Sequence, residues 1–386
     1  MKNKRKICVV VTARPSYSRI KTALTAIKNH PDLELQLVVA GSALLDRYGN
    51  AVNVIEKDGF TINEKVFMVL EGENPTAMAK TTGLAVMELS TVFYNLQPDA
   101  VVTIADRFET IATSIAASYQ NIPLVHIQGG EVTGNIDEKV RHANTKLADL
   151  HLVASADAKA RVERMGENPD MVFNTGCPSI DIAKQVSESA KADFDPIAKY
   201  GGVGQVGNWQ NGYIVVMQHP VTNEYSAAKH DVLETLRAID ALQIPTFWFW
   251  PNVDAGADGT SNGIRSYREK HNPKNILFLK NMEPNDFLSL IKNSKCLVGN
   301  SSVGIRESSF LGVPVVNIGS RQNRRLRGKN VLDCNYNEKS ITESIKTQIK
   351  NGHFQSETIF GNGNSGVAIA NILSTFPLLF HKTIVY

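Results

Sequence analysis

Cysteine is scarce in this 386-residue chain. Cys8, Cys177, Cys296 and Cys334 are widely scattered and show no Cys-x-x-Cys spacing, so neither a disulfide framework nor a zinc ribbon is indicated. Thiols placed in this way suit buried positions in a reducing compartment. Net charge is equally sparse: 41 basic against 38 acidic side chains leave +3, which argues against a nucleic-acid-binding surface. No apolar run approaches bilayer-spanning length, and the basic start MKNKRK leads only into a strand-length run from Ile7 to Val11. We therefore expect a cytoplasmic protein without a membrane anchor. Internal sequence repeats are absent as well.

What is present is a recurring architecture. The length exceeds one ordinary domain and suits two, each able to bury its own core. Strand-length apolar runs alternate with helical stretches at Ile7–Thr12, Leu35–Val39, Ala100–Ile104, Leu124–Ile127, His151–Ala154 and Met171–Asn174. After a polar interval, Ser187 to Asn211, they resume at Tyr213–Met217, Thr246–Phe249, Ile276–Leu279, Cys296–Val298 and Val313–Ile318. The pattern predicts an α/β protein of two Rossmann-like, doubly wound domains, 1–186 and 187–365. A closing helical segment, 366–386, is expected to pack back on the first domain. GGVGQVGNWQNG lacks the preceding strand and following helix of a dinucleotide-binding loop and reads as a linker or surface loop.

Ligands of open α/β sheets bind beyond the carboxyl ends of the strands, and here those ends are polar. They carry Thr12-Ala13-Arg14-Pro15-Ser16, Asp106-Arg107, Gln128-Gly129-Gly130-Glu131, Gln218-His219-Pro220, Pro251-Asn252-Val253-Asp254 and Asn300-Ser301-Ser302. Two such sheets facing each other would gather them into one cleft. The stretch Lys295–Arg327 is the most informative. A strand leads to the capping cluster Asn300-Ser301-Ser302, then to residues from Val303 to Phe310 that can form a helix, with Gly312 as its stop. Capping hydroxyls, free N–H groups and a helix dipole suit a diphosphate without a metal, with Arg306 and Arg321 as cations. The same residues also fit a capped crossover helix. Arg321, Arg324, Arg325 and Arg327 fall within seven positions and suit a small polyanion, although the last three fit a solvated basic loop equally well.

Carboxylates gather at the other set of strand ends. Asp106, Glu131 and Asp137 converge on one end of the first domain, where close carboxylates shift one another's pKa and divide acid and base roles. If Asp137 to Ala148 is helical, Asp137 and Arg141 share a face, and a surface i,i+4 ion pair explains both without function. No His-x-x-x-His spacing accompanies them, so a metal site is the weaker use of the cluster.

A series of ordered segments resembles the hydrolysing UDP-N-acetylglucosamine 2-epimerases, including the epimerase part of the bifunctional animal enzyme of sialic acid synthesis. They are ARPSYSRI, GSALLDRYGN, ADRFET, HIQGGEVTGNIDEKVRHANTKLADLH, GCPSID, MQHPVT, PNVDAG, GNSSVGIRES and NIGSRQNRRLRGKNVLD. A GDGN-like turn follows at Gly361-Asn362-Gly363-Asn364. The resemblance implies a glycosyltransferase-B-like pair of domains with a UDP-sugar between them. It gives the diphosphate to Ser301 and Ser302 with Arg14 and Arg321, the ribose to Glu307, and places Asn252 and Asp254 along the same site, with His219 as a catalytic candidate close to the diphosphate or the leaving glycosidic oxygen. Ser18, Arg107, Gln128 and Arg141 join as substrate contacts. It further implies removal of the C2 proton with loss of UDP from C1, then hydration of the 2-acetamidoglucal, with Asp106 and Asp137 as acid/base pair and Glu131 as a third candidate. Neither step needs a redox cofactor. A homodimer or homotetramer is implied, with no nucleic-acid or membrane partner.

One departure matters. Several family members, the animal enzyme among them, carry glutamate where this chain has Gln128, and an amide takes no proton at neutral pH. That points to a base shifted to Glu131 or Asp137 or to altered sugar specificity, ahead of a loss of activity, because the remaining charged set is intact. UDP-N,N′-diacetylbacillosamine or its GDP-linked counterpart is an alternative substrate; a non-hydrolysing epimerase and a nucleotide-sugar-binding protein without turnover are alternative functions. Glu73 to Pro98 reads as an amphipathic helix, with Met78, Leu84, Met87 and Leu89 assigned to core or subunit contact.

Overall fold

The computed structural model describes residues 3–46, 50–71, 75–105, 107–132, 136–189, 194–251, 257–379 and 382–385. The chain divides into two compact units, one of residues 1–181 with 360–386 and one of residues 182–359.

In unit one the strands are β1 (Arg5–Val11), β2 (Leu33–Ala40), β3 (Glu64–Val66), β4 (Ala100–Ile104), β5 (Leu124–Ile127), β6 (Leu150–Val153) and β7 (Val172–Asn174). Among the described residues they form one parallel sheet in the order β3-β2-β1-β4-β5-β6-β7. Alternate residues of β1 serve two cores: Ile7, Val9 and Val11 join one apolar cluster, Cys8 and Val10 another. Burial on both faces is why these strands read as continuous apolar runs. Burial pushes the Cys8 thiol up to about 12, so it behaves as a small hydrophobe.

Unit two repeats the design with β8 (Val203–Gln205), β9 (Ile214–Met217), β10 (Thr246–Phe249), β11 (Ile276–Leu279), β12 (Cys296–Gly299), β13 (Val315–Ile318) and β14 (Val331–Cys334). Their order is β14-β13-β12-β9-β10-β11-β8, parallel except for the β8 edge. The glycine-rich stretch expected to be a linker or surface loop is thus partly sheet. Val203–Gln205 pairs antiparallel with β11, and the following Trp209 packs edge-on against Tyr213 and Phe247. A three-residue edge strand with a glycine at its centre has too little side chain to announce itself.

Helix Pro75–Leu96 buries Ala85, Leu89 and Phe93 at four-residue spacing, with Leu84 partly buried against the same cluster. Met87, expected in a core or subunit contact, is exposed in this chain along with Tyr94. The last helix, Ser365–Thr375, contributes Ile369, Ala370 and Leu373 to the core beneath helix Arg14–Asn29. Among the described residues no helix is long and apolar enough to cross a membrane.

Candidate active site

The order of the first sheet reverses between β1 and β4, which opens a crevice at their carboxyl ends. Helix Arg14–Asn29 starts directly after β1, with Ala13 as an N-cap that offers no side-chain hydrogen bond. The Thr12 carbonyl receives the Ala43 N–H at 3.2 Å and the Ser42 hydroxyl at 3.1 Å, so GSALL buttresses the end of β1. Ser18 donates its hydroxyl proton to the Arg14 carbonyl at 3.3 Å, inside the helix. That leaves only its lone pairs for a ligand.

Beside β1, two strand ends turn through left-handed residues that are not glycine, Ala105 with φ 61° and Gln128 with φ 65°. Each costs about 1 kcal/mol or more, and such residues concentrate where the direction of the chain matters. Asp106, the next residue, lies outside the described residues, as do Asn252 and Asp254. Arg107 donates to buried Glu109 at 2.8 Å, whose second oxygen is enclosed without a hydrogen-bond partner among the described residues. Glu109 was not singled out from sequence; its place within ADRFET was the only signal.

Gln128 is 1% exposed, and its amide nitrogen donates to Cys177 Sγ at 2.9 Å, which lies 3.0 Å from Ser179 Oγ. Its Oε1 is enclosed without a partner among the described residues. Asp137 stands in the first turn of helix Ile136–Leu147, half-buried, and Arg141 follows one turn later. Arg141 is 1% exposed and donates to the Glu131 carbonyl at 2.8 Å. A surface ion pair therefore does not account for Arg141: a buried guanidinium ties the Glu131 loop to the helix that carries Asp137.

His126 supports both turns. Its Nε2 lies 3.0 Å from the Ala105 carbonyl, and its Nδ1 lies 3.1 Å from Thr145 Oγ1. Burial lowers its pKa to about 3, so the ring is neutral. A carbonyl only accepts, hence Nε2–H donates to Ala105 and Nδ1 accepts the Thr145 hydroxyl proton. Gly129 crosses this hydrogen bond so closely that a Cβ would lie 2.9 Å from each of the two atoms.

The second sheet reverses between β9 and β12, and Asn300 clamps those two ends together. Its Oδ1 receives the His219 N–H at 2.7 Å, its Nδ2 donates to the His219 carbonyl at 2.8 Å and to Tyr336 Oη at 3.2 Å, and its own N–H reaches the Met217 carbonyl at 3.1 Å. The strands approach so tightly that a Cβ on Gly299, φ 132°, would sit 2.2 Å from the Met217 carbonyl. Arg321 at 3.2 Å and Gln322 at 2.8 Å both donate to the Asn300 carbonyl. Gln322 and Tyr336 were not among the expected site residues, and Asn300 was expected only as part of the capping cluster.

The expected helix from Val303 to Phe310 does not form as one element. Ser301 caps a single 3-10 turn, Ser302–Gly304, and a separate helix runs Glu307–Leu311 before Gly312 ends it at φ 68°. Ser308 and Ser309 are buried within that short helix, which is too brief to carry a full dipole. Arg306 precedes it and is buried. Ser301 and Ser302 hydroxyls and Arg321 are what this edge offers an anion, and Glu307 adds a carboxylate oxygen, Oε2, enclosed without a partner among the described residues. The arginine run divides. Arg327 is paired with Asp333, and Arg325 is buried against Gln322 at 3.1 Å, while Arg324 is exposed.

The sequence model of the family described as UDP-N-acetylglucosamine 2-epimerase matches residues 25–374. The chain belongs to that family. It is 31% identical over 374 residues to the UDP-N,N′-diacetylbacillosamine 2-epimerase (hydrolyzing) of Legionella pneumophila, covering 97% of each chain. It is 29% identical over 362 residues to the UDP-N-acetylglucosamine 2-epimerase of Neisseria meningitidis, covering 94% of this chain and 92% of that one. Among solved structures, the UDP-GlcNAc 2-epimerase of Methanocaldococcus jannaschii in complex with UDP-GlcNAc and UDP superposes with a TM-score of 0.79 at 16% identity, over 96% of this chain and 99% of that one. The Neisseria meningitidis enzyme bound to UDP-GlcNAc gives 0.77 at 18%, over 95% and 99%. At those identities the likeness is one of fold, and it bears out the α/β pair of glycosyltransferase-B-like sheets.

Proposed function

We propose that this protein is a hydrolysing 2-epimerase of a UDP-linked 2-acetamido sugar, UDP-N-acetylglucosamine or UDP-N,N′-diacetylbacillosamine. It would release the free 2-epimer for nonulosonic acid synthesis. The observation that carries the reading is the Asn300 clamp: one buried amide locks the reversal of the second sheet and gathers Arg321, Ser301 and Ser302 around it, the groups a departing diphosphate requires. Similarity to relatives named as hydrolysing epimerases supports the hydrolytic form.

In this reading Ser301, Ser302, Arg14 and Arg321 hold the diphosphate and Glu307 takes the ribose hydroxyls. His219, Asn252 and Asp254 line the same site, with Ser18, Arg107 and Arg141 as further substrate contacts. Asp106 and Asp137 form the acid/base pair, with Glu131 as the third carboxylate. One carboxylate removes the C2 proton while the C1–O bond breaks and UDP leaves, which gives the 2-acetamidoglucal. Water then adds its oxygen at C1 and a proton at C2 on the opposite face. The proton on the acetamido-bearing C2 is weakly acidic, so both the base and the stabilisation of UDP must be preplaced. Gln128 serves as a hydrogen-bonding contact to the sugar, its Oε1 being enclosed and unpartnered among the described residues. Exposed Phe67, Met87 and Tyr94 favour a homo-oligomer.

The test is proton NMR of the protein with each sugar nucleotide in D₂O. UDP and a C2-inverted, C2-deuterated free sugar are expected from one of them. Intact nucleotide with C2 exchange would instead mean a non-hydrolysing epimerase. No change in either substrate despite UDP binding would overturn turnover altogether.

A further inference from the structure

A second polar cluster lies beneath the strand ends of unit one, and none of the steps above uses it. Buried Glu167 receives Lys146 at 2.7 Å, His151 at 3.0 Å and Lys382 at 2.5 Å. Burial pushes the Glu167 carboxyl upward, but the hydrogen bonds from His151, Lys146 and Lys382 outweigh it and bring the group down to about 2. It is therefore a fixed anion at neutral pH. Lys382 comes from the end of the chain, where the Val385 N–H on the Gly166 carbonyl at 3.1 Å holds the segment in place.

The same ammonium donates to the carbonyls of Thr145 at 3.0 Å and Ala148 at 2.6 Å. These lie at the C-terminal end of helix Ile136–Leu147, where carbonyls lack partners within the helix and a cation is favoured. Thr145 also bonds His126, whose other nitrogen holds the Ala105 carbonyl. A continuous path of hydrogen bonds thus runs from the chain end, through the helix that bears Asp137 and Arg141, to the residue before Asp106. Lys382 is half-buried and Glu167 buried, and ion pairs withdrawn from water contribute little stability over apolar residues of equal volume. What this one supplies is direction, because three acceptors on two elements meet one ammonium.

We propose that Lys382 is a positioning residue for the acid/base edge. Anchored on Glu167, it sets the axial position of helix Ile136–Leu147 and, through Thr145 and His126, the backbone at Ala105. The inference rests on the functional reading above for what the edge does, but not for how it is held.

The experiment compares full-length wild type with Lys382→Met and Lys382→Arg, and with Lys382→Gln should the Met variant not fold. Three quantities are measured: kcat and KM for UDP release from whichever sugar nucleotide turns over, the calorimetric Kd for UDP, and amide hydrogen exchange. The Met variant is expected to lose on the order of tenfold in kcat, with KM and the UDP Kd within about twofold. Exchange should accelerate over 100–105, 124–132 and 136–148 but not over β9 and β12. Arginine should restore most of the rate. Unchanged kcat and exchange would overturn the proposal, as would loosening of both units with UDP affinity falling in step. If the wild type releases no UDP, the functional reading fails and exchange alone decides the coupling: loosening confined to those three stretches supports it, and any other pattern overturns it.

Discussion

Asn300 holds three partners through one side chain, and aspartate would keep its shape while turning a donor into an acceptor. The new oxygen would face the His219 carbonyl, now 2.8 Å from Nδ2, inside a buried site. Asn300→Asp should therefore lose about 2 kcal/mol of stability in urea denaturation and weaken UDP binding by about tenfold in calorimetry. At the other edge, Asp137→Asn preserves volume and hydrogen bonding but removes the ionisable group. On the proposed mechanism it should lower kcat for UDP release by about 10²–10⁴ while the UDP Kd stays within about twofold; unaltered turnover would remove Asp137 from the acid/base pair. The two substitutions separate the leaving-group seat from the proton-transfer edge, because Asp137→Asn spares the UDP affinity that Asn300→Asp weakens.

At the scale of elements, several of the ordered segments act on the fold and not on substrate. Asp181 of GCPSID receives the Ser365 N–H at 2.8 Å, the Gly366 N–H at 2.7 Å and the Thr22 hydroxyl at 2.8 Å. It caps helix Ser365–Thr375 from outside, where Asn364 supplies no side-chain cap of its own. The turn at Gly361 closes the same joint, with the Cys177 N–H on the Phe360 carbonyl at 2.7 Å. Asp181→Ala leaves two N–H groups without a partner and should destabilise unit one by about 2–3 kcal/mol in thermal or urea unfolding. The UDP Kd should stay within about twofold, since of the groups assigned to the diphosphate only Arg14 belongs to unit one. A large loss of UDP affinity at unchanged stability would contradict that separation.

For the whole molecule, buried neutral histidines predict acid sensitivity. The ordinary His pKa of 6.5 falls to about 3 at His126, chiefly through burial. Unfolded chains bind this proton below 6.5 and folded chains do not until about 3, so the stabilising contribution is complete above 6.5 and is lost as pH falls toward 3. The loss is about 1.4 kcal/mol per pH unit within that window. His126→Gln should be less stable than wild type at pH 7 yet show a shallower decline between pH 6 and 4, by about one proton's worth of slope; parallel declines would show that His126 is not the group responsible. His151 is also lowered, first by burial, so part of the acid slope should survive in the variant. The sequence by itself determined the doubly wound class, because strands buried on both faces must be continuous apolar runs, and it determined that polar groups crowd the strand ends. It could not show β3, β8 and β14, which are short and lie toward sheet edges where burial leaves a weak pattern. Nor could it show that Val303–Phe310 breaks in two, or that Arg141, Glu109 and Asn300 are interior, because helical propensity and spacing do not report what packs around a side chain. Those outcomes were decided by tertiary structure: in a closed interior each buried donor and acceptor must find a partner, and the partners of Asn300 and Lys382 lie far away along the chain.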